Sequence, residues 1–151
     1  MVKPGLVAWV ILSLVAASAD AARQAPRVWK TDLRIRSFDL MPIGQGNVQV
    51  TVGIVTDGDD AARATRLEFM LPVSVGLIRA PAGCKASPAA VANLSARVTC
   101  ELGDIPGRGF REIILLTSAS PAGSQARFAA FVLSDTPDVS PSNNFAERAA
   151  P

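Results

Sequence analysis

Histidine and tyrosine are both missing from this 151-residue chain. Without histidine there is no commonest general base, no commonest metal ligand and no ordinary pH switch. A serine nucleophile would then need lysine as its base. The chain has only Lys3, Lys30 and Lys85, and no motif sets a serine beside one of them. Two cysteines alone do not complete a tetrahedral metal site. Charge of one sign is also scarce, with 15 basic residues against 13 acidic ones. That balance gives no clustered basic face of the kind nucleic acid requires. Glu68, Glu101 and Glu112 fall on outward strand positions, with no spacing that argues for the facing carboxylates of a glycosidase. No catalytic residue, no cofactor and no nucleic-acid partner is expected.

What is present begins with an address. Lys3 precedes an apolar run from Leu6 to Ala17, broken only by Ser13. A bilayer span takes roughly 20 residues, so this run is too short to cross comfortably. The small residues Ala17-Ser18-Ala19-Asp20-Ala21 follow it, with small side chains at −3 and −1 if cleavage falls after Ala21. This order reads as a secretory signal peptide over 1–21, with an uncleaved N-terminal anchor as the alternative. A linker over 22–31 follows, and no membrane span remains once the leader is removed. The chain is expected to be secreted, periplasmic or at the cell surface.

Beyond the linker the apolar pattern has a period of two, which marks strands with one buried face. Val48, Val50, Val52 and Ile54 alternate with Gln49, Thr51 and Gly53; Leu67, Phe69 and Leu71 alternate with Arg66, Glu68 and Met70. "LRIR", "RVTCEL" and "QARFAAFVLS" behave similarly, while "REIILLTS" is a continuous apolar run suited to a central strand. Between them lie turn sequences: "MPIGQG", "DGDD", "APAGC", "DIPGRG", "SPAG" and "TPDVSPSNN". The spacing predicts an all-β, antiparallel sandwich of about seven strands. A short helical turn is expected between the cysteines, with Ser87 as its N-cap and Pro88 at its first position.

Cys84 and Cys100 are the only cysteines, in a chain addressed for export. Two neighbouring thiols in an oxidising compartment are most simply a disulfide, Cys84–Cys100. Cys100 shares parity with Val98 and Leu102 and should face inward. The acidic turn Asp57, Asp59 and Asp60 could offer oxygens to calcium, but it lacks the spacing and terminal glutamate of an EF-hand loop. Asp-Gly is also an ordinary turn signal, and that reading is preferred. Asn93-Leu94-Ser95 fits a glycosylation sequon, a pattern frequent by chance. Lys30 and Lys85 are expected outside the strands, which argues against an internal lysine–asparagine cross-link.

An ordered series of stretches resembles a known family. "TDLRIRSFDL" and "VQVTVGIVTDG" are followed by "RLEFMLP", "APAGC", "VTCELGDIPGRGFREIIL" and the closing "SDTPDVSPSNN". Together they resemble the immunoglobulin-like repeat domain of unknown function found in bacterial and archaeal surface proteins, here in single copy. The resemblance covers 32–144 and leaves a polar tail over 145–151. It implies an immunoglobulin-like fold and a closing turn in which Asp135, Asp138, Asn143 and Asn144 fix the end of the sandwich through side-chain hydrogen bonds. Pro137 and Pro141 would then hold the chain extended and block further pairing. It also implies a non-enzymatic module that acts by surface contact, with a protein or glycan of the envelope as its partner. A small structural subunit of a larger surface assembly is the alternative. The surfaces to inspect are the edge strands and the loops near Gln45, Asp59 and Ala90.

Overall fold

The alternation read in the sequence becomes alternation in space. A computed structural model describes residues 28–88, 94–121 and 124–151. Nine strands occur among them: β1 (Leu33–Pro42), β2 (Asn47–Thr56), β3 (Ala62–Pro72), β4 (Leu77–Arg79), β5 (Cys84–Pro88), β6 (Leu94–Ile105), β7 (Phe110–Ser118), β8 (Arg127–Leu133) and β9 (Phe145–Ala149). They form a four-stranded sheet, β1-β2-β7-β4, and a five-stranded sheet, β5-β6-β3-β8-β9. Every named strand pair is antiparallel.

This division makes the sandwich immunoglobulin-like. Strands β1, β2, β7 and β4 take one side and β3, β8 and β9 the other, as in a seven-stranded constant-type domain. The pair β5–β6 enlarges the second sheet beyond β3. The core lies between the sheets. Val48, Val50, Val52 and Ile54 of β2 are buried with Leu67, Phe69 and Leu71 of β3 and Phe128, Ala130 and Val132 of β8. Phe38 and Phe69 meet across the layers edge-on, with ring centroids 6.4 Å apart. Each such side chain contributes roughly 1.5–3 kcal/mol by leaving water, so the alternating pattern decides the fold.

The disulfide joins Cys84 of β5 to Cys100 of β6, residues directly opposite in the ladder and 16 apart in sequence. Cys100 is fully buried, as its parity required. Cys84 stands on a strand rather than in a loop. Ser87 and Pro88 also belong to β5 and pair with Arg97 and Ala96. The helical turn expected to start there therefore does not; the cross-strand disulfide holds these residues extended. The rest of that expected turn, the loop at Ala90, the sequon asparagine Asn93 and the leader lie outside the described residues.

The stretch after Asn144 differs too. Pro141–Asn144 forms a single 3-10 turn, and the chain then enters β9, which pairs with β8 from Arg127↔Ala149 to Phe131↔Phe145. The residues expected as a polar tail thus include a strand. Pro141 redirects the chain into it instead of ending the ladder.

Candidate functional site

One end of the sandwich brings charged side chains together with two exposed aromatic residues, Trp29 and Phe110. It is built from residues 28–32, the β2–β3 turn, the β6–β7 turn and the segment 134–144. Two of these turns are stitched by Thr56, the last residue of β2. Its hydroxyl donates to the Pro106 carbonyl and accepts from the Gly109 N–H, while its own N–H reaches the Gly109 carbonyl. Arg108 N–H donates to the Gly58 carbonyl at 3.0 Å. The approach is so close that a Cβ on Gly107 would lie 2.1 Å from the Asp59 carbonyl oxygen. Glycine is required there by contact alone.

This stitching shapes a depression of about 440 Å³ lined by Arg36, Val55, Thr56, Asp57, Arg108, Gly109 and Phe110. Phe110 opens β7 and is 52% exposed. A Cβ on Gly53 would sit 3.2 Å from its Cε2, so the ring leans on bare backbone of β2. One side of the ring is thereby supported and the residue still faces solvent. Arg36 reaches the same depression because β1 is irregular. The register passes from Ile35↔Ile54 to Ser37↔Gly53, leaving Arg36 as the extra residue of a bulge. Bulges re-aim side chains in this way.

The charges here are unevenly matched. Arg34 pairs with Asp57. The hydrogen bond from Arg34 holds the Asp57 carboxyl below the usual carboxylate range, helped by the charges of Arg34 and Arg36. The Arg34 guanidinium is raised by the same hydrogen bond. Arg108 meets Asp59 at 2.8 Å, both largely exposed. Asp60 accepts from the Lys30 N–H at 3.1 Å. The three acids of the "DGDD" turn therefore face three different partners rather than one common point. No cluster of three or more cysteine or acidic side chains suited to a metal ion occurs among the described residues.

A second depression, of about 270 Å³, is lined by Val28, Trp29, Arg63, Asp135, Thr136 and Pro137. The Arg63 guanidinium stands 5.4 Å from the Trp29 ring centroid, within cation–π range. Trp29 is 46% exposed.

Between the two depressions the closing segment ties itself to the start of β1. Asp138 is its centre. Its Oδ1 accepts from the Ser140 N–H at 2.7 Å; its Oδ2 accepts from the Leu33 N–H and from Asn144 Nδ2, each at 3.1 Å. Asn143 Nδ2 donates to Asp32 Oδ1 at 3.0 Å. Thr31 forms a parallel bridge with Asp138, and Thr136 bonds Ala61 and Arg63 at the start of β3. Three of the four residues singled out from the sequence, Asp138, Asn143 and Asn144, are thus brought together. The fourth, Asp135, points outward beside Trp29. The knot is incompletely satisfied: Thr31 Oγ1, Asn143 Oδ1 and Asn144 Oδ1 are buried and have no partner among the described residues. Its net contribution is accordingly less than the number of bonds suggests.

Sequence reading missed Arg36, Arg108, Phe110, Trp29 and Arg63. The run "GRGFR" carried a usable signal, a turn followed by an aromatic residue between arginines. Arg36 carried none, because a bulge leaves no mark in composition. Glu101 and Glu112 are exposed, and half-buried Glu68 lies 3.9 Å from Arg97. Gln45 lies in the β1–β2 turn at the opposite end. No helix among the described residues is long and apolar enough to cross a membrane.

No protein-family model and no curated protein sequence matches the chain. Among solved structures it is similar to the carbohydrate-binding module CBM3b of the cellulosomal cellobiohydrolase 9A of Clostridium thermocellum. That match has 10% identity over 70% of this chain and 94% of the other, at a TM-score of 0.47. An uncharacterized protein from Nocardia farcinica with an immunoglobulin-like fold matches at 14% identity, over 80% and 96% of the two chains, at 0.43. A family GH18 chitinase from Chromobacterium violaceum matches at 13% identity and 0.42, over 72% of this chain and 18% of that one. At these scores the likenesses carry no argument, and the fold rests on the strand order above.

Proposed function

We propose that the chain is an exported, non-enzymatic immunoglobulin-like module, a single copy of the surface-protein repeat its sequence resembles, and that it binds a glycan at the end described above. The observation that carries this reading is the Phe110 platform. A ring supported on the Gly53 backbone and open to solvent offers an apolar face to the C–H side of a sugar. Arg36 and Arg108, both exposed, and the outer side of the Asp57 carboxylate supply the hydrogen-bonding groups that a ring of hydroxyls needs. The Cys84–Cys100 disulfide supports an oxidising compartment. The test is binding of the full chain to a panel of oligosaccharides, followed by Phe110→Ala. Loss of about tenfold in affinity is expected; a panel without any binder contradicts the reading.

A second reading, a structural subunit of a larger surface assembly, draws on the outer face of the five-stranded sheet. There Phe131 pairs with Phe145, which is largely exposed, and Leu133 lies beside them. Migration of the native protein only as part of a heavy envelope complex favours it. Migration at the mass of one chain favours the glycan module.

A further inference from the structure

The two depressions differ in charge, and the difference names a ligand class. At the Trp29 depression the one arginine is already engaged with the indole ring, and Asp135 stands exposed beside it. An anion would meet an uncompensated carboxylate there. At the Phe110 depression the one lining acid, Asp57, is already held by Arg34. Arg36 forms no ion pair among the described residues, and its charge acts on Asp57 only from farther away. Arg108 is tied to Asp59 only through a pair that water screens on all sides, which is worth little and is readily exchanged.

We propose that the Phe110 depression takes an anionic sugar, its carboxylate or sulfate group held by Arg36 and Arg108 and its ring stacked on Phe110. The guanidinium fork suits a planar carboxylate or a tetrahedral sulfate through paired hydrogen bonds. This deepens the glycan reading and rests on it, since the platform supplies the stacking face.

The test titrates the full chain, purified without reductant, with alginate and heparin fragments and with neutral dextran and cello-oligosaccharide fragments, at about 0.15 M salt. The anionic fragments are expected to bind, and Arg36→Gln and Arg108→Gln each to weaken them roughly tenfold or more. Arg79→Gln, on β4 and outside the depression, is expected to change nothing. If neutral fragments bind as tightly as anionic ones and Arg36→Gln has no effect, the anionic class is overturned while the glycan reading stands. If no fragment of either kind binds, both fall. Binding to heparin that Phe110→Ala leaves intact and that duplex DNA competes away is general attraction to polyanions, and overturns the proposal as well. The preference of alginate over heparin, or the reverse, separates carboxylate from sulfate; either preference supports the shared anionic chemistry.

Discussion

At the end holding the β1–β2 turn, the chain reverses largely through its own backbone. Ile43 and Asn47 bond each other's turn, Ala119 N–H reaches the Gly46 carbonyl, and Val75 N–H reaches Pro72. At the opposite end backbone bonds such as Thr31 N–H to Pro137 and Arg108 N–H to Gly58 are joined by side-chain ties: Thr56, Thr136, Asp138 and Asn143 bridge segments as much as 111 residues apart. The contrast separates two requirements. A turn closed by backbone depends on conformation and tolerates varied side chains. Loops closed by side chains spend specific residues on position, and what they hold in place is a platform, Phe110, with arginines around it. That investment is the physical reason for seeking function there.

The largest expected effect sharpens this comparison by striking neither end. Replacing both Cys84 and Cys100 by serine should lower stability by about 3 kcal/mol, the loop-closure estimate for a bridge of this span, in urea denaturation. Because the bridge fastens the β5–β6 edge, sugar binding by the folded fraction should persist. Loss of binding in folded protein would tie the edge to the site.

Next come the two ends themselves. Asp138→Ala removes the acceptor of two N–H groups and of Asn144. It should cost about 2 kcal/mol, since buried donors lose their partner, and should also loosen the start of β1 next to the platform. Gly46→Ala at the other end, where φ is +72°, should cost about 1 kcal/mol through backbone strain alone. It should leave binding untouched. A larger loss from Gly46→Ala than from Asp138→Ala would break the contrast between backbone closure and side-chain closure.

The smallest effect concerns acid. The Asp57 carboxyl titrates below its ordinary value in the folded chain. Its contribution is therefore present above the unfolded carboxylate pKa near 3.8 and lost as pH falls through the lower folded value. The pair is exposed, so the decline on acidification should be slight and should vanish in Arg34→Leu, as read from denaturation midpoints between neutral and acid pH.

Much of the fold was legible because burial on one face writes a period of two into the sequence. The strands β1, β2, β3, β6 and β8 carry that signature. β5 does not: "CKASP" is mostly exposed, and it is a strand because Cys84 is bridged opposite Cys100 and four further residues pair with β6. β9 is hidden behind the knot, with "FAERA" too short and too exposed to alternate clearly. In β7 the continuous apolar run fits its central place between β2 and β4, although Ile114 is 45% exposed while Leu115 is buried. At the closing turn Asp138 and the asparagines stood out as turn residues, but their partners Thr31, Asp32 and Leu33 lie about a hundred residues earlier. No local pattern announces such a pairing. The depression depends on a bulge, on Gly53 beneath a ring and on two turns stitched by Thr56, all of them relations between strands.

The central claim is that the side-chain-tied end of the sandwich is the ligand-contact end. The most direct measurement is amide chemical-shift mapping of the isotopically labelled chain during titration with an alginate fragment. Saturable shifts should cluster at Arg36, Asp57, Arg108 and Phe110, with Gln45 and Ser118 at the other end unmoved. Shifts centred on the β1–β2 turn, or none anywhere at saturating sugar, would contradict it.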